Sequence, residues 1–284
     1  MADAPAEGLT FVLPVFDQEK TVGRAVSSWI PTLDSLRRPY ELLIVDDGSL
    51  DGTRAQAEIQ TTRNPRVRVL AHPERRGFGA CLRSALADAT QPLVFYTSAD
   101  HNWNHADLGR MIKAIGFVDE YTGRRVEVVN GHRRGTALPT GPKWRNRLYQ
   151  WFMRIVFGFW PEPPRGWLGT TERRFWWRCR ILFGLRVGDV NSKFKLFRRS
   201  VFDRIEVQSD GEFVHAELLA KANFLGCMMD EIVLADRDQP PPAPDVRREM
   251  WYVFRHPRFR SAVPLATPTA PPPEEPPPAA PAPA

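Results

Sequence analysis

Three short apolar segments, each ending in small and acidic residues, constrain the fold of this chain more than any other feature. They are residues 9–14, 42–49 and 93–100, and helix-length segments lie between them. This alternation of strand and helix patterns predicts a Rossmann-like α/β fold, with a mostly parallel central sheet and helices on both faces. Acids at the carboxyl ends of parallel strands face the crevice where such sheets bind ligands, so we expect the functional site at that edge.

The composition is that of a globular protein with a basic surface. The 284 residues, 43% of them hydrophobic and 25% charged, are enough to bury the core of one large domain. The formal net charge of +6 suits nucleic acid, anionic lipid or phosphorylated substrates, and charge alone does not choose among them. The cysteines are odd in number and scattered, which favours reduced, buried thiols over a zinc or redox motif. They are Cys81, Cys179 and Cys227.

Neither a leader peptide nor a membrane-spanning segment is predicted. Residues 1–8 lack the basic start and the apolar core of a signal peptide, and no apolar stretch approaches the roughly 18 residues that span a bilayer. We therefore expect a cytoplasmic protein, peripheral on the cytoplasmic membrane face. The chain divides into a flexible start (1–8), a folded domain (9–238, with halves 9–104 and 105–238), a linker with a short helix (239–262) and a disordered proline-alanine tail (263–284).

Two acidic clusters at predicted strand ends carry candidate ligand-binding chemistry. Asp46 and Asp47 precede Gly48, so carboxylates that can accept hydrogen bonds from a base or a ribose stand beside a residue that lets the backbone approach a ligand. Asp100 offers a hard oxygen to Mg²⁺ or Mn²⁺, which would bridge the phosphates of a nucleotide, and Asn102 adds a carbonyl oxygen. The alternatives are a helix cap at the first cluster and a solvated loop at the second.

Basic residues in the second half form a candidate phosphate site. Arg133 follows the fifth predicted strand, and Lys193, Lys195 and Arg198 lie in or next to a later one. Strand alternation places Lys193 and Lys195 on one face. Ammonium and guanidinium groups there would offset the charge of a diphosphate or of a phosphorylated substrate. A solvated, charged strand is the alternative.

The segment 142–186 interleaves aromatic and basic residues. Helices at a membrane surface have this composition, since indole rings prefer the headgroup boundary and arginine meets lipid phosphate. Packing of the aromatic stripe into the core is the alternative. A nucleic-acid partner is not expected, because no recognisable RNA- or DNA-binding motif accompanies the segment. The expected membrane contacts are Trp144, Trp151, Arg154, Trp176 and Trp177.

Six motifs occur in order between residues 9 and 234. They are Leu13-Pro14-Val15-Phe16, Val45-Asp46-Asp47-Gly48-Ser49, Arg76-Gly77-Phe78-Gly79-Ala80, Tyr96-Thr97-Ser98-Ala99-Asp100, Ser192-Lys193-Phe194-Lys195-Leu196-Phe197 and Ala216-Glu217-Leu218-Leu219. In this order they resemble the motifs of family 2 glycosyltransferases, most closely the polyprenyl-phosphate sugar transferases typified by dolichyl-phosphate mannose synthase. The ordered set is much more specific than any single motif.

The resemblance implies a GT-A fold that binds a nucleotide sugar together with Mg²⁺ or Mn²⁺. In that family a DxD-type motif holds the ion, and its positions fall here on Ser98, Asp100 and Asn102. The implied nucleotide-sugar residues are Pro14, Phe16, Asp17, Asp46, Asp47, Gly77, Ser98 and Asp100; the implied acceptor-phosphate residues are Arg133, Lys193, Lys195 and Arg198; and the implied catalytic residues are Asp100, Arg133 and Lys195.

The resemblance further implies an inverting transfer of a hexose, from a donor of the GDP-mannose or UDP-glucose type to a polyprenyl or dolichyl phosphate. A dianionic phosphate attacks without help from a protein base. A sugar hydroxyl would need one, and Asp210, Glu212, His215 and Glu217 are candidates by location.

The chain departs from the family pattern at the ion site. Ser98 replaces the first acid of the motif, Asp17 stands where asparagine is usual, and Lys193 replaces a small residue. The sequence therefore leaves a second function open. In it, the chain is a non-catalytic GT-A-like protein that binds nucleotide or lipid phosphate.

Overall fold

The computed structural model describes residues 6–101, 103–133, 170–185, 187–235 and 246–260. From residue 9 to residue 132 strands and helices alternate, as the apolar pattern predicts. The strands are β1 (Leu9–Val15), β2 (Tyr40–Asp46), β3 (Val67–Ala71), β4 (Leu93–Tyr96), β5 (Val126–His132), β6 (Lys195–Arg198) and β7 (Met228–Val233). The helices are α1 (Glu19–Ser35), α2 (Thr53–Arg63), α3 (Phe78–Asp88), α4 (Ala106–Ile115), α5 (Thr170–Phe183), α6 (Val214–Phe224) and α7 (Arg247–Arg255).

The strands form one mixed sheet in the order β3-β2-β1-β4-β6-β5-β7. Strands β1 to β4 are parallel to their neighbours within that set, and β7 is parallel to β5. Strand β6 runs antiparallel to both β4 and β5. The prediction of a mostly parallel sheet is confirmed, with one reversed strand at its centre.

The reversal of β6 decides which residues share an edge of the sheet. Lys195, the first residue of β6, pairs with Tyr96 at the end of β4 and with Asn130 near the end of β5. The amino end of β6 therefore meets the carboxyl ends of its neighbours. The segments that follow β1, β2, β3, β4 and β5, and the segment that precedes β6, all emerge along this edge.

Helices cover both faces of the sheet, which explains why β1, β2 and β4 are buried along their whole length. On one face Trp29 of α1 packs against Phe11 and Phe95, with ring centroids 5.0 and 5.8 Å away, and α4 adds further apolar side chains. On the other face α3, α5, α6 and α7 build a second apolar cluster, which includes Val12 and Val45. Successive residues of each strand thus serve opposite layers.

Helix α5 contains two of the predicted membrane contacts, Trp176 and Trp177, and it belongs to this core. Trp176 is buried, and its Nε1 donates a hydrogen bond to the carbonyl oxygen of Val187 at 2.8 Å. Trp177 is half-buried, packs against the same core and meets Trp176 edge to face. The prediction that Trp176 contacts a membrane is therefore wrong, because its aromatic stripe faces the core.

The other three predicted membrane contacts, Trp144, Trp151 and Arg154, lie outside the described residues. Within the residues that the structure describes, no helix combines the length and apolar character needed to cross a bilayer.

Helix α3 begins in close contact with the segment before α6. Gly77 has a positive φ of 98°, a conformation that favours glycine. The backbone N–H of Gly79 donates to the carbonyl oxygen of Asp210 at 2.7 Å. A Cβ atom on Gly79 would overlap the carbonyl oxygen of Ser209. The two glycines thus let two backbones meet at the edge where the site is expected.

We expect Gly79→Ala to lower the free energy of unfolding by about 1–3 kcal/mol, because the clashing atoms belong to backbone that has to move. Gly109→Ala is the matched control. Gly109 lies inside α4 with nothing within 4 Å of an added Cβ, so alanine should stabilise the fold by about 0.5–1 kcal/mol. Urea unfolding measures both, and equal stabilities would contradict the close approach of α3 to residues 209–211.

Candidate functional site

The segments after β1 and β2 are tied together at the predicted edge. Asp17 lies in the left-handed region with a φ of 49°, which aspartate tolerates better than most residues. Its Oδ1 accepts a hydrogen bond from the backbone of Leu50 at 2.9 Å, and its N–H donates to Ser49 Oγ at 3.0 Å. Phe16 lies under the guanidinium of Arg75, 4.2 Å from the ring centre. Asp17 therefore connects two segments of the crevice wall.

Pro14 and Asp46 occupy buried positions in the adjacent strands β1 and β2. Pro14 pairs with Val45 in the sheet. Asp46 is the last residue of β2, and its Oδ1 accepts hydrogen bonds from the N–H and the hydroxyl of Ser49, at 3.2 and 2.5 Å. Asp46 thus closes the turn after β2 and caps no helix, because α2 begins at Thr53 with Gly52 at its N-cap.

Asp47 ties the segment after β2 to the segment after β3. Its carboxylate accepts the backbone N–H groups of Arg76 and Gly77, at 2.9 and 2.8 Å, and bonds to Nδ1 of His72 at 2.9 Å. Burial alone would raise the pKa of Asp47, but the hydrogen bonds from His72 and from the two backbone groups outweigh it, so its pKa is lowered. Asp47 is thus a buried anion whose charge holds the start of the α3 segment.

His72 is a site residue that the sequence analysis missed, since a lone histidine after a strand carries no motif. Its Nε2 bonds to Ser84 Oγ at 2.9 Å, so both ring nitrogens are engaged. Asp47, His72 and Cys81 place one potential metal-ligand atom each within 4.8 Å of one another. Burial raises the pKa of the Cys81 thiol, which keeps it protonated. We therefore interpret the group as a hydrogen-bonded support for Asp47 and not as a metal centre.

Phe78 and Lys193 connect this support to the end of β4. The Phe78 ring lies 4.6 Å from that of His215 and 5.8 Å from that of Tyr96. The ammonium of Lys193 lies 5.5 Å from the Phe78 centroid and 3.9 Å from Oδ2 of Asp100. A continuous chain of contacts therefore runs from Asp47 through the Gly77–Phe78 step and Lys193 to Asp100.

Asp100 is the exposed acid of the group, with 55% of its side chain accessible. Ser98, two residues earlier, is buried, and its hydroxyl has no hydrogen-bond partner among the described residues. The Thr97 hydroxyl is in the same situation. Asn102 lies outside the described residues. The accessible carboxylate of Asp100 fits Mg²⁺ or Mn²⁺, since such ions take one or two protein carboxylates and complete their shell with phosphates and water.

Glu212 and His215 form the wall opposite Asp100. Burial would raise the pKa of Glu212, but its bonds to His215 and Lys193 lower it to about 2. Burial lowers the pKa of His215 to about 4, although the nearby Glu212 carboxylate favours the protonated ring and raises the pKa. A neutral ring donates from Nε2 to Glu212 Oε2 at 3.3 Å and accepts the Tyr96 hydroxyl at Nδ1, 3.1 Å away. At neutral pH the wall thus carries an anionic Glu212 paired with Lys193, 3.2 Å away.

Glu217, another candidate base, is a structural residue. It is fully buried and accepts the backbone N–H groups of Gln208 and Ser209, at 2.7 and 2.8 Å. Its carboxylate also pairs with Lys221 at 2.7 Å. Glu217 therefore anchors the segment that contacts α3, and no proton-transfer role is consistent with its burial.

Arg133 and Lys195 are buried and internally paired. Arg133 forms a two-point ion pair with Asp189, at 2.6 and 3.0 Å. Lys195 donates to Asn130 Oδ1 at 2.6 Å and to the carbonyl oxygen of Val190 at 3.3 Å. Burial lowers the pKa of Lys195 to about 7, although Asp189 attracts its charge. Both cations thus brace the segment before β6, which differs from the direct phosphate contact expected of them.

Arg198 lies at the other edge of the sheet. It pairs with Leu93 at the start of β4, because β6 runs antiparallel to β4. Its guanidinium bonds to Glu7 and to the carbonyl oxygens of Ile115 and Val126, at 2.6, 3.0 and 3.0 Å. The prediction that Arg198 joins the acceptor-phosphate site is wrong. Of the four predicted phosphate cations, Lys193 is the one whose charge faces the crevice beside Asp100.

Comparison with known proteins agrees with this architecture. The family model described as Glycosyl transferase family 2 matches residues 10–206, more than half of the chain. The human dolichyl-phosphate beta-glucosyltransferase is 22% identical over 243 residues, which cover 82% of this chain and 68% of that protein. An uncharacterized glycosyltransferase of Mycobacterium tuberculosis is 29% identical over 147 residues, which cover 50% of this chain and 60% of that protein.

A solved structure has the same fold. The glucosyl-3-phosphoglycerate synthase of Mycobacterium tuberculosis, in complex with Mn²⁺, uridine diphosphate and glucosyl-3-phosphoglycerate, superposes with a TM-score of 0.56. The sequences are 20% identical, and the match covers 88% of this chain and 76% of that one. This likeness confirms the expected GT-A fold.

Replacing Asp47 by asparagine preserves the shape of the side chain and removes its charge. An amide cannot accept from His72 and both backbone groups together, so we expect Asp47→Asn to lower the free energy of unfolding by about 2–3 kcal/mol. Asp203→Asn, at an exposed acid, should change it by less than about 0.5 kcal/mol. Urea unfolding at neutral pH measures both variants.

Because the pKa of Asp47 is lowered, the difference in free energy of unfolding between wild type and Asp47→Asn depends on pH. The folded pKa lies below the unfolded value of about 3.9, so the carboxylate's contribution is complete above about pH 5 and is lost as the pH falls through the folded pKa. The stability gap between wild type and Asp47→Asn should therefore narrow in acid. A gap that stays constant down to about pH 2.5 would contradict the assignment of a hydrogen-bonded anion.

Proposed function

Because the chain belongs to glycosyl transferase family 2, we propose that it is an inverting glycosyltransferase that moves a hexose from a nucleotide sugar to a polyprenyl phosphate at the cytoplasmic face of a membrane. The observation that carries this proposal is the chain of contacts from Asp47 through Phe78 and Lys193 to Asp100. It brings the segments after β2 and β3, an accessible acid and a cation together at one edge of the sheet. The human relative named for dolichyl phosphate supports the choice of acceptor.

The donor would bind along the segments that Asp17 and Asp47 hold in place. Gly48 has a positive φ of 70° and Gly77 one of 98°, so the backbone turns sharply at both positions, where each glycine packs against the backbone of Glu74 or of Asp210. Phe16, under Arg75, offers an aromatic surface on the same edge. A base and a ribose fit such a surface, and a hexose donor of the GDP-mannose or UDP-glucose type supplies both. Asp46 and Asp47 act here mainly by shaping the backbone around the nucleotide.

Asp100 would hold a divalent ion through its accessible carboxylate. Bound there, Mg²⁺ or Mn²⁺ would neutralise charge on the diphosphate of the donor. Lys193 balances Asp100 at 3.9 Å in the structure, and its ammonium is within reach of a phosphate that enters the crevice. The same side chain pairs with Glu212 at 3.2 Å, which keeps it next to the crevice.

In the transfer step an oxygen of the acceptor phosphate attacks the anomeric carbon of the sugar. A new carbon–oxygen bond forms as the bond from that carbon to the diphosphate breaks, and the nucleoside diphosphate leaves with the electron pair. Attack opposite the leaving group inverts the anomeric configuration. The attacking phosphate is already ionised at neutral pH, so the proposal requires no protein base. Lys193 positions that phosphate, and Glu212 positions Lys193.

A second candidate function is binding without catalysis. Ser98 in place of an acid, together with the closeness of Lys193 to Asp100, lowers the negative charge available to an ion. A protein of this kind would bind a nucleotide or a lipid phosphate and transfer nothing. One assay distinguishes transfer from binding without catalysis.

The assay measures transfer of labelled hexose from GDP-mannose and from UDP-glucose to a short polyprenyl phosphate, with Mn²⁺ or Mg²⁺. We expect metal-dependent product from wild type and at least a 100-fold lower rate from Asp100→Ala, since leaving-group charge would lose its counter-ion. Asp203→Ala is the control and should keep full activity. Tight nucleotide binding without product would support the non-catalytic alternative, and product from a phosphorylated small molecule alone would contradict the lipid acceptor.

A further inference from the structure

Helix α7 presents an unusual surface for so short a helix. Its buried side, with Met250 and Val253, packs into the same core as α5 and α6. Its other side exposes three aromatic rings and three arginines. The exposed residues are Arg247, Arg248, Trp251, Tyr252, Phe254 and Arg255.

The aromatic residues of this face are large and accessible. Trp251 is 47% exposed, Tyr252 52% and Phe254 40%. Phe254 meets Trp251 and Phe183 edge to face, with centroids 5.7 and 5.8 Å apart, so these three rings form one connected patch, while Tyr252 lies beside His256. Soluble proteins seldom leave such a group of rings uncovered.

The charge around the rings is strongly positive. Residues 247–260 contain arginine at 247, 248, 255, 258 and 260, and Glu249 is their one acid. Glu249 points inward, where its Oε1 accepts the backbone N–H of Gly211 at 3.2 Å. Tyr252 also borders a cavity of about 540 Å³ whose wall includes four arginines and three acids, with Arg83 paired to Asp210 and Arg258 to Glu206. Arginines outnumber acids in residues 247–260, so the face combines aromatic rings with an excess of positive charge, a combination that anionic phospholipid bilayers bind.

Helix α7 also contacts the functional site. The Gly211 that Glu249 holds lies next to Asp210, whose carbonyl oxygen accepts the N–H of Gly79 in α3. Gly211 is followed in the chain by Glu212, and Glu212 pairs with Lys193. The hydrogen bond between Glu249 and Gly211 thus links α7 directly to the segment that contains Glu212.

We propose that the exposed face of α7 is the surface by which this protein docks on an anionic lipid bilayer. The inference deepens the proposed function, since an acceptor phosphate carried by a lipid is presented at such a surface. It assigns membrane contact to Trp251, Tyr252 and Phe254, in place of the buried Trp176. Rings enter the headgroup boundary, and the flanking arginines meet lipid phosphate.

The test is flotation of the full chain with vesicles of phosphatidylcholine and phosphatidylglycerol at about 7:3, compared with phosphatidylcholine alone. We expect wild type to float with the anionic vesicles and the double variant Trp251→Ser/Tyr252→Ser to bind at least five-fold more weakly. Phe117→Ser/Tyr121→Ser is the matched control, because these rings are 55% and 100% exposed elsewhere on the fold. It should float like wild type. Thermal unfolding confirms that both variants are folded.

Three results would overturn the docking surface. One is undiminished flotation of the α7 variant, and another is equal binding of wild type to neutral vesicles. The third is a stable dimer in light scattering that the α7 variant dissociates, since a second copy of the chain would then be the occupant. Transfer to a short, soluble polyprenyl phosphate is measured in parallel. Flotation without transfer would contradict the proposed function and support the docking surface. Transfer without flotation would support the proposed function and contradict the docking surface.

Discussion

The buried carboxylate of Asp47 is the interaction on which the functional edge depends. One anion, held by His72 and by two backbone N–H groups, fixes the segment after β3 against the segment after β2. That segment leads into the two glycines of α3, whose contact with Asp210 sets the opposite wall. Charge buried with full hydrogen bonding is costly to disturb and gives a single geometry. A crevice built in this way can bind a polar ligand with little rearrangement.

Charge is distributed unevenly along this edge. Arg133 and Asp189 are buried and satisfy each other, and buried Lys195 donates to the side chain of Asn130 and to the backbone of Val190. Asp100 keeps an accessible charge, and Lys193, whose side chain is 20% exposed, lies 3.9 Å from Asp100 and 3.2 Å from Glu212. The buried residues therefore support the segment before β6, while Asp100 and Lys193 are available to a substrate. A phosphate that enters the crevice would replace Asp100 as a partner of Lys193, and a cation would replace Lys193 as a partner of Asp100.

Much of this arrangement follows from the sequence, and the exceptions have physical reasons. Apolar runs and strand-end acids were enough to place Asp46, Asp47 and Asp100 on one edge, because parallel strands end together. Strand alternation is the same in either direction, so it could not show that β6 is reversed and that Arg198 lies at the far edge. Likewise, an aromatic stripe does not show which layer will cover it, and Trp176 lies in the core.

The central claim is that the segments fixed by Asp47 and the acid Asp100 act on one nucleotide. Calorimetry of uridine diphosphate and guanosine diphosphate binding, with and without Mn²⁺, tests it most directly. For the diphosphate that binds, Mn²⁺ should tighten binding at least ten-fold in wild type and leave it unchanged in a folded Asp100→Ala variant. An equal effect of Mn²⁺ in both proteins, or no binding of either nucleotide, would contradict the account.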